Sequence, residues 1–465
     1  MGDMKVQTGL NENGSALTNL GYKQELKRAL TMKDLVVYGL ITMLPIAPIQ
    51  VYGMLAHESS GMVPLVYLVG IVAMVFTALS YSQMSKEFPI AGSVYSYVQR
   101  GLNPHVGFAT GWLIAVDYIM GPALLASFSA MWLNSIFPAI PTYLLILLFL
   151  FINTFINARG ISLTARTNLV FLIMELSVLA VFIACTIKFV FVDGNGMGGF
   201  SLAPLIQPDK VNLEFLASAA SIAVLGFLGF DVISTLSEEV KEPRKTVGRA
   251  TVFSLVAIGM IFMVQTYLAS LAHPNYQDLD PDMAYFDIAR EVGGDLLYYL
   301  FIIIAVAAVG IANALAIQSA IARIIYSMSR DNLLPFAGIL GKIHPVYKTP
   351  FNATIFVGIV SFFVALFVSI ETIIKLVNFG ALTSFMMLNL TVIIYFIFKK
   401  KQRDPKGLLL YGLLPLLGFS IIFFVWSGFD TMTYVVGGSW LAAGIILGAV
   451  KSKGYREVPP TMRDL

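Results

Sequence analysis

Cysteine is almost absent from this chain. The 465 residues hold one, Cys185, inside an apolar run, so no internal disulfide can form and no disulfide-linked partner subunit is expected. Charge is scarce too: only 12% of residues are Asp, Glu, Lys or Arg, where soluble domains carry roughly a quarter. The four histidines, His57, His105, His273 and His344, are scattered. No zinc spacing, P-loop, dinucleotide fingerprint or nucleic-acid motif occurs, so no metal, cofactor or nucleic-acid partner is expected. What is abundant is apolar: 57% of the residues are hydrophobic. That balance describes an all-α protein passing many times through a lipid bilayer. A cleaved signal peptide is not expected, because residues 1–32 are polar and the first apolar run is too long for one.

Apolar runs of roughly 20 residues, long enough to span a bilayer, recur along the chain. Spans 1 to 5 are read at 33–55, 63–85, 105–130, 139–157 and 166–190. Spans 6 to 10 are read at 213–237, 248–271, 296–328, 350–370 and 373–397, and spans 11 and 12 at 408–427 and 431–450. Twelve crossings put both termini on one face. Lys and Arg choose which face: with the termini inside, all but Lys188, Lys210, Arg290 and Lys375 of the 30 basic residues are cytoplasmic. Residues 1–32 and 451–465 are then cytoplasmic tails. The outer stretch 272–295 carries Asp278, Asp280, Asp282, Asp287, Glu291 and Asp295 against Arg290 alone. Such a stretch reads as a solvated loop, and an acidic vestibule would concentrate cationic solutes.

Span 1 is interrupted. Pro45 and Pro48 lie near the middle of KDLVVYGLITMLPIAPIQVYGML; each removes an N–H and clashes with the turn before it. A break between Thr42 and Pro48 is predicted. Unpaired backbone at that depth survives only inside protein or beside a polar cavity. Span 6, SIAVLGFLGFDVISTLS over 221–237, is interrupted as well. Two broken spans at matching places in two halves mark a solute site at a repeat interface. The halves are 33–190 and 213–397; five spans each is an odd number, so the second repeat is inverted. Residues 408–450 lie outside the repeat.

The break in span 1 offers Thr42, Pro45, Ile46 and Gln50 to a solute. Carboxylates inside spans are costly and default to function. Asp117 is followed by Tyr118, a pairing of charge and ring that suits an amine. Glu175 lies deep in an apolar helix, where ionisation is expensive and proton uptake and release become natural. Asp231 follows the break in span 6 and is expected to cap or brace its second half. Gly226 and Gly229 let that backbone open, with Phe227 and Phe230 either closing over solute or packing. Glu238, seven residues after Asp231, is expected on the same helical face and is a second candidate for ion coupling.

With these residues placed, FPIAGSVYSYVQRGLNPHVGFATGW (88–112), GFLGFDVISTLSEEVKEPRKTVGRA (226–250) and ARIIYSMSRDNLLP (322–335) resemble segments of the amino acid–polyamine–organocation superfamily. Within it, NPHVGF, LGFD…TLSEE, SRDN and NFGAL (378–382) most resemble bacterial putrescine importers. The resemblance implies a twelve-helix, leucine-transporter-like fold of five plus five inverted helices and two extra. It also implies alternating access, proton coupling, a small amine or amino acid as solute, and the cytoplasmic membrane. Two departures matter. The superfamily's amino-acid members carry a glycine-rich break whose N–H groups hold a carboxylate; TMLPIAP has no glycine, which favours a solute without an α-carboxylate. The importers' pattern has Asp where Gln50 stands, and cationic amino-acid members have Lys where Glu175 aligns. An L-amino acid permease is the alternative within transport; a channel, a sensor or an enzyme has no supporting feature in the sequence.

Overall fold

The computed structural model describes residues 28–90, 93–160, 165–330, 334 and 336–455. The described residues are helical, apart from loops and one isolated bridge between Leu30 and Val240. Of the 1–32 tail, residues 1–27 lie outside the described residues, as do 456–465 of the C-terminal tail. Among the described residues ten helices are long and apolar enough to cross a membrane. Spans 4 and 9 form shorter apolar helices of 17 residues each, Thr142–Ala158 and Phe351–Phe367. This is an all-helical, multi-pass membrane protein.

Local chemistry explains where span 1 starts and stops. Asp34 accepts from both the N–H and the hydroxyl of Thr31, at 2.8 and 2.7 Å, and closes the first turn of Met32–Met43. Pro45 has no N–H to give the Ile41 carbonyl and disfavours helix at the residue before it. Leu44 accordingly turns to φ 57° and the helix ends. One tight turn, Ala47–Gln50, leads into the second half, Tyr52–Glu58. Span 6 breaks likewise: Leu213–Ala223 is capped by Asn212, tightens over Val224–Phe227, unwinds, and resumes only as Val232–Thr235.

Around these broken elements the other helices form the scaffold. Span 2 (Val63–Glu87) lies along span 7 (Pro243–Ala272), and span 7 also flanks the first half of span 1. Span 3, Pro104–Ile136, is the most deeply buried and touches spans 4, 8, 9, 10 and 12. It is tied to span 12 (Thr431–Lys451) by a reciprocal pair: each indole of Trp112 and Trp440 donates to the other's carbonyl at 2.9 Å, with the rings stacked. Span 8 starts close to its expected place. The helical run Ala284–Ala307 is broken at Gly294 (φ 75°), so a short helix precedes the span, which continues to Arg330 through a wide π turn, Ala308–Asn313. Half of the acidic stretch expected as loop is therefore helix, carrying Asp287, Arg290 and Glu291. Apolar residues on one face before Gly294 (Tyr285, Phe286, Ile288, Ala289) are buried there, and that burial holds the turns together.

Candidate functional site

The two breaks meet. Thr42 Oγ1 donates to the Gly229 carbonyl at 3.0 Å, across the junction of spans 1 and 6. Gly229 sits at φ 104°, and a Cβ there would lie 2.8 Å from the Thr42 carbonyl oxygen. Freed carbonyls find donors from other helices. Gln265 of span 7 donates to Pro45 O at 2.8 Å and is itself held by the Tyr285 hydroxyl. Asn313 of span 8 donates through Nδ2 to Thr42 O at 3.3 Å. Side chains thus close the break, as burial demands.

Between the breaks and span 3 lies a cavity of about 60 Å³. Thr42, Gln50, Asp117, Tyr118, Gly229 and Asp231 all line it. Apolar walls come from Leu44, Leu124, Leu225 and Val377. Asp231 is 2% exposed and its Oδ2 accepts from Tyr118 OH at 2.9 Å and Ser93 Oγ at 3.3 Å. Ser93 in turn meets the Tyr81 hydroxyl at 3.2 Å. Asp117, one residue before Tyr118, has no hydrogen bond or ion pair among the described residues and faces the cavity. Its carboxylate is open where that of Asp231 is committed.

A larger recess of about 280 Å³ lies by the second half of span 1. Tyr52, whose hydroxyl meets Ser270 Oγ at 3.0 Å, belongs to it, as do Lys210, His273 and Tyr276. No carboxylate lines it. Size and chemistry disagree here, and the chemistry is in the smaller cavity.

The remaining sequence-predicted residues fall elsewhere. Pro45 and Ile46 shape the break but do not line the cavity; both are buried. Phe227 and Phe230 are fully buried and pack as core rather than over the cavity. Phe227 contacts Tyr67 and Phe262, and Phe230 contacts Tyr81 and Phe385. Asp231 heads Val232–Thr235 but makes no capping bond; a four-residue helix has little to cap, and Tyr118 and Ser93 offer hydroxyls instead. Glu238 does not continue the face of Asp231. The helix stops at Thr235, and Glu238 lies in the separate turn Ser237–Glu239, within electrostatic reach of Arg28. Glu175 is 1% exposed, outside the cavity, and neither carboxylate oxygen has a partner among the described residues. Its helix, Ala165–Ile187, packs on Met32–Met43 and on spans 7 and 8.

Sequence reasoning missed Ser93, Gln265 and Asn313. A polar residue inside an apolar span is the signal that marks the last two, as it marks Asn153 and Asn157 in span 4.

Residues 35–450 match the family model described as amino acid permease. The low-affinity putrescine importer PlaP of Escherichia coli is 30% identical over 443 residues, covering 95% of this chain and 97% of the relative. The branched-chain amino acid permease BcaP of Bacillus subtilis is 25% identical over 460 residues, covering 94% of this chain and 95% of the relative. A methylthioribose transporter of the same bacterium is 26% identical over 462 residues, with 93% and 95% covered.

Proposed function

This chain belongs to the amino acid permease family of transporters, and from that premise we propose that it imports a small cationic amine of the putrescine class through the cell membrane. The observation that carries the reading is Asp117, a carboxylate with no partner among the described residues, facing a cavity between two broken spans. Its surroundings add to the field an ammonium would feel. The first half of span 1 ends at the cavity, and a helix C-terminus carries partial negative charge. Pro45 and Pro48 remove N–H groups that a solute carboxylate would need, and the N–H groups of Leu44 and Ala47 are already bonded to Leu40 O and Leu44 O. The site is rich in acceptors and poor in donors, which favours an amine over an α-amino acid. At about 10–15 Å³ per water-sized atom, the cavity of about 60 Å³ suits a short-chain amine. The putrescine importer among the relatives supports the same class.

The coupling mechanism in this reading is alternating access, with five-helix repeats 33–190 and 213–397 rocking about the joined breaks and spans 11 and 12 outside them. Both termini are inside. Glu175 carries the coupled proton, because an unpartnered buried carboxylate costs least when a proton neutralises it. Since Glu175 lies outside the cavity, proton and solute bind at separate places and need not compete. Coupling then requires only that protonation favour one of the two conformations.

A second reading, a proton-coupled L-amino acid permease, draws on the neutral Gln50 and the leucine-lined wall. A ligand bound to the folded state raises thermal stability, so thermal unfolding of the purified protein separates the two. Putrescine or another short amine should stabilise it and zwitterionic amino acids should not. Stabilisation by alanine or leucine with no response to any amine would replace the first reading by the second.

A further inference from the structure

Span 8 brings to the cavity a group with no partner. Only the NH₂ end of an amide can meet a carbonyl, so the bond from Asn313 Nδ2 to Thr42 O leaves Oδ1 without a partner on span 1. That oxygen is buried and has no donor among the described residues, and Asn313 itself, 4% exposed, lines the cavity with Asp117. Its placement is built rather than incidental. Asn313 closes the π turn Ala308–Asn313, a distortion that re-aims side chains and recurs at functional sites. Span 4 holds the turn: Asn153 Nδ2 donates to Gly310 O at 2.7 Å, and Asn157 Nδ2 to Leu315 O at 3.1 Å. Gln318, beyond it, donates to Thr154 Oγ1 at 2.7 Å.

We propose that Asn313 Oδ1 is the acceptor for a second ammonium group, which makes the site selective for diamines over monoamines. This deepens the amine reading above and rests on it. Buried acceptors normally have donors, and the cavity's own hydroxyls are committed: Thr42 donates to backbone carbonyls and Tyr118 to Asp231. A monoamine paired with Asp117 leaves Oδ1 unmet. A diamine engages both lining residues, one ammonium on Asp117 and the other on Asn313 Oδ1. A solute carboxylate in that second position would bring acceptor against acceptor.

The test compares binding of 1,4-diaminobutane and 1-aminobutane to purified full-length wild type, Asn313→Leu and Asn313→Asp, with thermal unfolding as the folding control. Wild type should prefer the diamine. Asn313→Leu, of similar size, should weaken the diamine about tenfold or more, as losing a hydrogen bond to a charged group does, and weaken the monoamine clearly less. Asn313→Asp keeps an acceptor and adds a charge, so it should tighten the diamine alone, and it carries the test if Asn313→Leu does not fold. Equal weakening of both amines in the variants, or no change in either, overturns the diamine role while the amine reading stands. Binding of neither amine by wild type overturns both.

Discussion

At the residue scale, two carboxylates of one type class have been given opposite situations. Asp231 commits an oxygen to Tyr118 and Ser93, whereas Asp117 has no partner among the described residues. Removing the Asp117 charge should therefore cost binding and not folding. Asp117→Asn is expected to raise the dissociation constant for a cationic solute tenfold or more, since a charged hydrogen bond contributes about 1.5–3 kcal/mol. The melting temperature of the apo protein should not fall. A lower melting temperature with unchanged uptake would assign Asp117 to the scaffold. Glu175 makes a different prediction, because it is buried away from the cavity without a partner among the described residues. Glu175→Gln, which mimics the protonated group, should retain solute exchange in proteoliposomes and lose accumulation driven by a pH gradient. Wild-type accumulation in that variant would move the proton elsewhere, Glu238 being next to examine.

At the scale of elements, the joint between spans 1 and 6 depends on one glycine. Gly229→Ala forces a Cβ to 2.8 Å from Thr42 O at a φ of 104°, a backbone conformation that costs a side-chain-bearing residue on the order of 1–3 kcal/mol. The variant should melt at lower temperature and transport more slowly; an unchanged melting curve would show that the joint is soft. Spans 10 and 12 meet at a second joint, where Lys375 pairs with Asp430 and Glu371. Partial burial pushes the Asp430 carboxyl up, but Lys375 and the N–H and hydroxyl of Thr433 together hold it below the ordinary aspartate range. A depressed carboxyl contributes stability above its unfolded value of about 3.9 and loses it as pH falls through the folded one. Asp430→Asn should thus melt below wild type at neutral pH, and the gap should close on acidification below about pH 4. A gap constant with pH would make the role of Asp430 one of packing and capping alone.

At the scale of the whole molecule, orientation is the open physical quantity, and the distribution of Lys and Arg sets its expected sign. With Cys185 replaced by alanine, Asn195→Cys and Lys401→Cys each become single thiols at exposed loop positions. A membrane-impermeant thiol reagent on intact cells should label Asn195→Cys and spare Lys401→Cys; the reverse pattern would invert the topology.

Much of this protein was legible one residue at a time, for a reason specific to membranes. The bilayer is the solvent, so the length of an apolar run alone says where a helix can cross, and ten of the expected spans appear with that length and composition. Pro45 breaks its helix by removing a donor from its own turn, a wholly local effect that needs no neighbour. Other features depended on partners far away in the chain. Asp231 looked like a cap until Tyr118, 113 residues earlier, supplied its hydroxyl. Phe227 and Phe230 looked like a gate until their rings met Tyr67, Tyr81, Phe262 and Phe385. Asn313 stands 271 residues from the carbonyl it closes, and no periodicity relates them. Hydropathy and proline chemistry act within a turn or a bilayer thickness, so sequence alone determined the spans and the break in span 1. Which carboxylate stays open to a solute was decided by helices packing across the chain, because only packing determines where each hydrogen-bond donor ends.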